Sequence, residues 1–383
     1  MKVLYDYQAF DIQRIGGVSN VFSLLVDSVK KAGVDVSVGI AYTENMYMSA
    51  MGYPTKEDQI NRLIQAGKFP PDTNFNEIDW KKVNKIYSKN AINRNDYDVF
   101  HPTHYTPYFL DEGYNLKKPY VVTVHDLAFE RLKDYIQFNE SMCYADFDNR
   151  RDILKYASSV VAISEATKRD VMEIYNVPED KIEVVYNAYR ELPENYEYKP
   201  SVVGCPYILY VGTRQGPLNY KCFIPFFNQI VPFMKRHKDF KLVCTGSKFT
   251  TFERDMFRQY GLEDRVVNMY VDEDNLNSLY HNAFCFVFPS EFEGFGLPIL
   301  EAYKNDCPAL LNDIPVFHEV GGDSALYFNI KDGVSLNDKL EAIYDFDYDE
   351  TKSLLKDQRE RLKLFTPQKM AEGYIKVYES VLR

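Results

Sequence analysis

The chain holds a single tryptophan in 383 residues, and its six cysteines never fall at CxxC spacing. That excludes a structural zinc knot and a redox dithiol, both of which need paired thiols close in sequence. Cys244 (LVCTG) and Cys285 (FCFVF) lie in strand-like apolar runs, where a free thiol behaves as a small hydrophobe and where a reducing compartment suits it. Basic runs are scarce as well. Forty-five Lys and Arg stand against 56 Asp and Glu, a net charge of −11, and no cluster of cations exists to follow a phosphate backbone, so nucleic acid is set aside as a partner. No apolar stretch approaches the ~20 residues of a membrane-spanning helix. The opening MKVLYDYQAFDIQRIGG, with Asp6 and Asp11 in or beside its short apolar patch, reads as neither signal peptide nor anchor. The expectation is a cytoplasmic protein, with peripheral contact at the inner membrane face left open and the oligomeric state unassigned.

What remains is an ordinary globular composition, 45% apolar and 26% charged with 18 Gly and 18 Pro, unlike a collagen, a coiled coil or a disordered chain. Tyr (31) and Phe (26) are abundant but scattered. The length suggests two domains. Short apolar runs alternate with longer amphipathic stretches, the signature of βαβ units. The first half offers KVLYDY, VDVSVGIAY, DVFHPT, PYVVTVHD, SSVVAIS and KIEVVYN; the second offers YILYVG, FKLVCTG, VVNMY, FCFVFPS, PALLN and SALYF. Their near-continuous apolar character predicts parallel strands covered on both faces. The polar, proline-bearing segment 191–206 reads as a hinge between two Rossmann-like halves.

We therefore expect an N-terminal domain over 1–190, a second over 206–365, and a last helix, near Pro367–Leu382, within 366–383. Segment 43–95 interrupts the first domain with helically spaced apolar residues (Ile60, Leu63, Ile64; Val83, Ile86, Tyr87), a Thr55/Asp58 capping box and a Gly67 stop. It reads equally as a decorative insertion or as an acceptor-binding element.

The richest stretch is FVFPSEFEGFGLPILEAYKND, 286–306. A strand ends near Ser290, a glycine loop (Glu293-Gly294-Phe295-Gly296) follows, and a helix begins near Leu297 with Pro298 in its first turn. Close backbone approach, free N–H groups and the helix dipole together form an anion site. Glu293 and Glu301 bracket it at seven-residue separation, and a carboxylate accepts hydrogen bonds from two neighbouring sugar hydroxyls. His125 closes the strand VVTVHD at the carboxyl edge, where open α/β sheets bind ligands, and Ser164 closes VVAIS and can cap the following helix.

This segment resembles the Glu-x7-Glu motif of the family-4 retaining glycosyltransferases, which have the GT-B fold of two Rossmann-like α/β domains facing a central cleft. The resemblance extends in order through IGGVSNVF, DVFHPTHYTPYF, VTVHDLAFE, VAISEATKRDV, VVYNA and YILYVGTRQGPLNYKCF. It implies that the last helix returns to the N-terminal domain. It also implies that Glu301 holds the donor ribose, that Glu293 contacts the transferred sugar, and that the backbone from Gly294 through Phe295 and Gly296 to Leu297 cradles the diphosphate. Arg214 and Lys221 match the basic pair that neutralises the leaving diphosphate in place of a metal, Gly16 and Gly17 match the glycine loop across the cleft, and His125 matches a catalytic-site histidine. His101, His104 and Tyr105 fall on the acceptor side. The resemblance thus implies a metal-free hexosyl transfer from a nucleoside-diphosphate sugar, GDP-mannose or a UDP-hexose, to a glycan or lipid-linked acceptor, as in cell-surface polysaccharide mannosyltransferases. A catalytically inactive nucleotide-sugar-binding subunit and a sugar-nucleotide epimerase are the alternatives.

The chain departs from the family at three places: the loop GTRQGPLNYK is about three residues longer than usual, Asp306 replaces a glycine expected in the left-handed conformation, and His318 stands where proline is common. His101 and His104 have no third metal ligand near them. The Asp-x-Asp pair at 272/274 begins a helix, those at 345/347 and 347/349 sit in an acidic, Tyr-rich helix end, and none follows an apolar strand as a metal-binding pair would, so no metal site is expected.

Overall fold

The structure, a computed structural model, describes residues 1–68, 74, 78–132, 140–214 and 220–383, the side chains of 81 and 140–147 excepted. The described residues fall into two compact units.

The first unit takes Met1–Leu127, residues 140–188 and Pro367–Arg383. Its strands are β1 (Lys2–Tyr5), β2 (Asp35–Val38), β3 (Val99–His101), β4 (Val121–Val124), β5 (Ser159–Ala162) and β6 (Ile182–Val184). They lie in two parallel sheets, β2-β1-β3 and β4-β5-β6, and a parallel bridge between Phe100 and Tyr120 links β3 to the start of β4. Every residue of β3, β4 and β5 is buried. The Gly17–Lys31 helix and the final Pro367–Ser380 helix share one core with β1, through Phe22, Leu25, Met370, Tyr374 and Tyr378.

The second unit takes Tyr189–Thr366 together with residues 128–132. Its strands are β7 (Tyr207–Tyr210), β8 (Lys241–Thr245), β9 (Val266–Met269), β10 (Cys285–Phe288), β11 (Ala309–Asn312) and β12 (Leu326–Phe328). They form one sheet of order β12-β11-β10-β7-β8-β9, parallel throughout. This is the doubly wound Rossmann order, whose winding reverses between the two central strands, β7 and β10. Phe226, Phe227, Ile230 and Phe233 of the Phe223–Arg236 helix fill one face of it.

Local signals set the helix ends as the sequence leads one to expect. Thr55/Asp58 forms a complete capping box, Gly67 stops that helix at φ +65°, and Asp272 caps a helix start; Asp347, expected at a helix end, instead caps the start of the Tyr348–Leu362 helix. Segment 43–95 carries the helices Met46–Ala50, Lys56–Gln65 and Trp80–Arg94. Asp306 takes φ +55° and is held by a bidentate Arg359 at 2.6 Å.

The first unit encloses a polar chain under its last helix. Tyr378 Oη lies 2.8 Å from Tyr5 Oη and 2.7 Å from His101 Nδ1. His101 Nε2 lies 2.9 Å from Thr123 Oγ1, which lies 3.0 Å from Tyr374 Oη. Burial disfavours the charged imidazole and pulls His101 down to about 3, with His125 adding to the effect. Below pH 6.5 the unfolded chain therefore binds a proton that the folded chain refuses, so this residue makes stability fall as the pH drops from 6.5 towards 3. His101→Gln should remove up to about 1.4 kcal/mol per pH unit from the slope of stability against pH over that window. Urea unfolding of both proteins at pH 7 and pH 5 reads the difference, and equal slopes would contradict it.

Candidate active site

In an open parallel sheet, the loops leaving the two strands at the reversal point turn to opposite sides and leave a crevice beyond their carboxyl ends. In the second unit those loops carry Lys221, after β7, and Glu293, after β10. Lys221 Nζ donates to Glu293 Oε1 at 2.5 Å, with side-chain exposures of only 23% and 14%, so the pair is shielded from much of the screening that weakens surface ion pairs. The Glu291 N–H donates to the Tyr220 carbonyl at 2.8 Å and laces the two loops together. Lys221 Nζ also sits 5.0 Å from the Tyr220 ring centroid and 5.7 Å from that of Phe288.

Beyond Glu293 the chain turns through Gly296 at φ +104° into the Leu297–Lys304 helix. That start has no side-chain cap, and the Phe295 ring is buried against Phe365. Glu301, one turn on, accepts from Tyr280 Oη at 3.1 Å. Burial raises its carboxyl above the usual carboxylate range, with Lys304 and the Tyr280 hydroxyl opposing the rise.

Arg214 does not join Lys221 at Glu293. Its guanidinium is buried, donates to Glu253 Oε1 at 3.0 Å and to the Thr245 carbonyl at 2.8 Å, and also binds the Ser247 carbonyl. Phe249 covers it, 4.6 Å from the ring centroid. The expected partnership of two cations on a diphosphate is corrected here: Arg214 fastens β8 and its outgoing loop. The long loop that set the two apart in sequence falls at 215–219, outside the described residues.

In the first unit Gly16 and Gly17 open the Gly17–Lys31 helix, whose start lacks a cap from its own N-cap residue; Gln13 Oε1 accepts from the Ser19 N–H at 3.1 Å instead. No sequence signal marks Gln13 for this. His125 follows β4; its N–H donates to Tyr105 Oη at 2.9 Å and its ring stands edge-on to Phe22. Its Nε2 is buried without a hydrogen-bond partner among the described residues. Burial first, then His104 and Arg150, pulls it down to about 3, so it is neutral at pH 7.

His101 departs from its expected place on the acceptor side. It is fully buried and both ring nitrogens are held by Tyr378 and Thr123, which leaves nothing for an acceptor. Tyr105 is also buried, under the Arg150 guanidinium at 4.5 Å, while His104 is half-buried with its ring 5.1 Å from that of Tyr105. Ser164 caps the Glu165–Tyr175 helix through the Thr167 N–H. Among the described residues no three His, Cys, Asp or Glu side chains gather as metal ligands, and no helix is long and apolar enough to cross a membrane.

The family model "Glycosyltransferase Family 4" matches residues 15–190 and "Glycosyl transferases group 1" matches 178–360. The chain belongs to the family-4 glycosyltransferases. This family-4 chain is 30% identical over 244 residues, 59% of its own length and 65% of the relative's, to the O-antigen chain mannosyltransferase RfbU of Salmonella typhimurium. It is 32% identical over 117 residues, 29% of each, to the GDP-mannose:cellobiosyl-diphosphopolyprenol alpha-mannosyltransferase of Xanthomonas oryzae. Its matches span less than two thirds of the length of the curated relatives. In fold it is similar to HepE of Anabaena, solved with UDP and glucose, at TM-score 0.68 and 14% identity, covering 99% of this chain and all of that one. The family-4 fold, two Rossmann-like α/β domains of the GT-B class, is the one expected from the sequence.

Gly296 makes the local argument testable. A Cβ there would stand 3.0 Å from Ile299 Cδ1 and 3.3 Å from Phe317, at a φ that side chains other than glycine rarely adopt. Gly296→Ala should destabilise the protein by about 1–2 kcal/mol, read as a lowered unfolding midpoint. Gly17→Ala, with nothing within 4 Å of the added carbon and no left-handed φ, should cost far less.

Proposed function

We propose that the chain is a retaining, metal-independent hexosyltransferase. It takes the sugar from a nucleoside diphosphate, GDP-mannose or a UDP-hexose, and passes it to a hydroxyl of a glycan or lipid-linked saccharide during surface polysaccharide synthesis in the cytoplasm. The observation that carries this reading is the shielded Lys221–Glu293 pair at the winding reversal of the second unit. The relatives' names support mannose as the sugar, and the Xanthomonas relative's name supports GDP as its carrier.

On this reading the 294–297 backbone and the helix start bind the diphosphate, and Lys221 stabilises the negative charge that grows on it as the glycosidic bond breaks. Glu293 holds Lys221 in place before the donor arrives and accepts hydrogen bonds from hydroxyls of the transferred hexose afterwards. Glu301, held by Tyr280, receives the ribose. The route is front-side and dissociative, with the departing phosphate taking the proton of the incoming hydroxyl. His125, neutral at pH 7 and with an unpartnered Nε2, is suited to a hydrogen bond with a sugar hydroxyl and not to a charge contact. Arg214 acts indirectly, by bracing the β8 end through Glu253 and the Thr245 carbonyl.

Lys221→Ala and Glu293→Gln should each lower the transfer rate by about a hundredfold to a thousandfold with little change in unfolding midpoint. Wild-type turnover in either variant would overturn the assignment. A panel of nucleotide sugars read by thermal shift should single out the donor, since a ligand at a hundred times its Kd adds about 2.7 kcal/mol to stability. Transfer should persist in a chelator, with the α-anomeric linkage retained in the product; a free sugar or an epimer as product would favour the epimerase.

A further inference from the structure

The first unit buries one carboxyl group that the proposed chemistry leaves unused. Asp6 follows β1, is fully buried, and accepts five hydrogen bonds, all from neutral donors. They come from the Thr103 N–H at 2.8 Å and its hydroxyl at 2.6 Å, from the Gln8 N–H at 3.3 Å and its Nε2 at 2.8 Å, and from the Tyr108 hydroxyl at 3.0 Å. A carboxylate held by neutral donors alone is costly to bury. Burial raises this one above the usual carboxylate range in spite of the bonds from Thr103 and Gln8. Apolar side chains would fill the same space at lower cost, so the use of Asp6 lies in what it orients.

It orients an amide. A carboxylate only accepts, so Asp6 draws the Nε2 end of Gln8 toward itself and leaves Oε1 for a donor elsewhere. Gln8 Oε1 accepts from the Thr106 N–H at 3.2 Å, and Nε2 reaches the His104 and Thr106 carbonyls at 3.3 Å each. Asp6 therefore grips the 103–106 turn at Thr103, and Gln8 grips it at Thr106. The Thr103 hydroxyl, which donates to Asp6, also accepts from the Ala9 N–H at 3.0 Å, tying the chain that leaves β1 to the same turn. Tyr105 lies between the two grips. Its hydroxyl accepts from the His125 N–H at 2.9 Å, just beyond β4. Among the described residues β3 and β4 are bridged at Phe100 and Tyr120 alone, so the sheet ladder does not reach His125 from that side. The Tyr105 hydroxyl reaches it instead, while the His125 ring stands edge-on to Phe22 with its Nε2 unpartnered among the described residues. A side chain whose own neighbours leave one polar atom uncommitted depends on its main chain for its direction.

We propose that Asp6 and Gln8 are positioning residues for His125: through the 103–106 turn and the Tyr105 hydroxyl they fix its main chain and hence the aim of its ring. The value of that aim for sugar transfer rests on the reading of His125 given above; the coupling itself does not. The test is amide hydrogen exchange at His125, read by NMR on the full chain, followed by turnover. Gln8→Ala and Tyr105→Phe should each speed exchange at His125 about tenfold, while the Val122 and Val161 amides exchange as in the wild type. Asp6→Asn, which sets an amide donor against Gln8 Nε2 or the Tyr108 hydroxyl, should do the same, and Gln8→Ala keeps the test decisive if that variant fails to fold. Gln8→Ala should also lower kcat for transfer about tenfold, yet cost nothing more when added to His125→Ala, because a residue acting through another has no separate effect once that other is gone. Wild-type exchange at His125 in both Gln8→Ala and Tyr105→Phe, equal acceleration at all three amides, or multiplying losses in the double variant would overturn the proposal. Faster exchange at His125 in Gln8→Ala together with wild-type turnover in His125→Ala would support the positioning and overturn only the part given to this histidine in transfer.

Discussion

The site rests on one constraint of parallel sheets: two adjacent central strands whose crossovers leave in opposite directions. β7 and β10 run side by side, with Ile208 opposite Cys285 and Leu209 opposite Phe286, but their chains depart to different edges of the sheet. Lys221 and Glu293, 72 residues apart in sequence, meet because each is the product of one of those departures. The Leu297–Lys304 helix, which has no side-chain cap, starts from the same loop for the same reason. Everything claimed for the donor follows from that crossing of paths, and the rest of the second unit keeps it rigid: aromatic residues on the Phe223–Arg236 helix, and Asn312 donating to the Ser290 carbonyl just below the glycine loop.

Much of this was legible in the chain itself. Among the described residues all twelve strands lie within the apolar runs of the sequence, and those covered on both faces, such as β3, β4 and β5, have no polar phase to confuse with a loop. Thr55, Gly67, Asp272 and Asp306 announced their turns and caps because the relevant interactions are local, one to four residues long. The Glu293–Glu301 block was readable for the same reason, being one continuous strand-loop-helix segment. What escaped was tertiary. Nothing near Arg214 foretells Glu253, 39 positions on, and nothing near His101 foretells Tyr378, 277 positions on. Both residues look like site candidates from their neighbours and turn out to be held by distant ones. Gln13, which supplies a hydrogen bond at the glycine-loop helix, carries no signal because its side chain acts from outside the helix it serves.

The two units also differ in how they handle buried polarity. In the second, buried charge appears as pairs, Arg214 with Glu253 being the deepest. In the first, it appears as a relay of hydroxyls and one neutral imidazole, together with Asp6, which accepts from the Thr103 N–H and hydroxyl, from Gln8 and from Tyr108. Burial raises that carboxyl even so. Each relay member is satisfied by specific neighbours, which fixes the register of β1, β3 and the last helix more tightly than apolar packing alone.

That last helix has a consequence for the order in which the polypeptide matures. Tyr5 and Tyr378 are 373 residues apart, yet share one hydrogen bond in one core. On a ribosome, which delivers ~5–20 residues each second, the Rossmann sheet between Tyr189 and Thr366 has all its strands available first. The β1 core must wait, its Tyr374 and Tyr378 slots unfilled, for tens of seconds after its first strands emerge. A chain arranged this way leaves the β1 core incomplete until its last helix is made, and losing that helix would damage packing built from residues several hundred positions earlier.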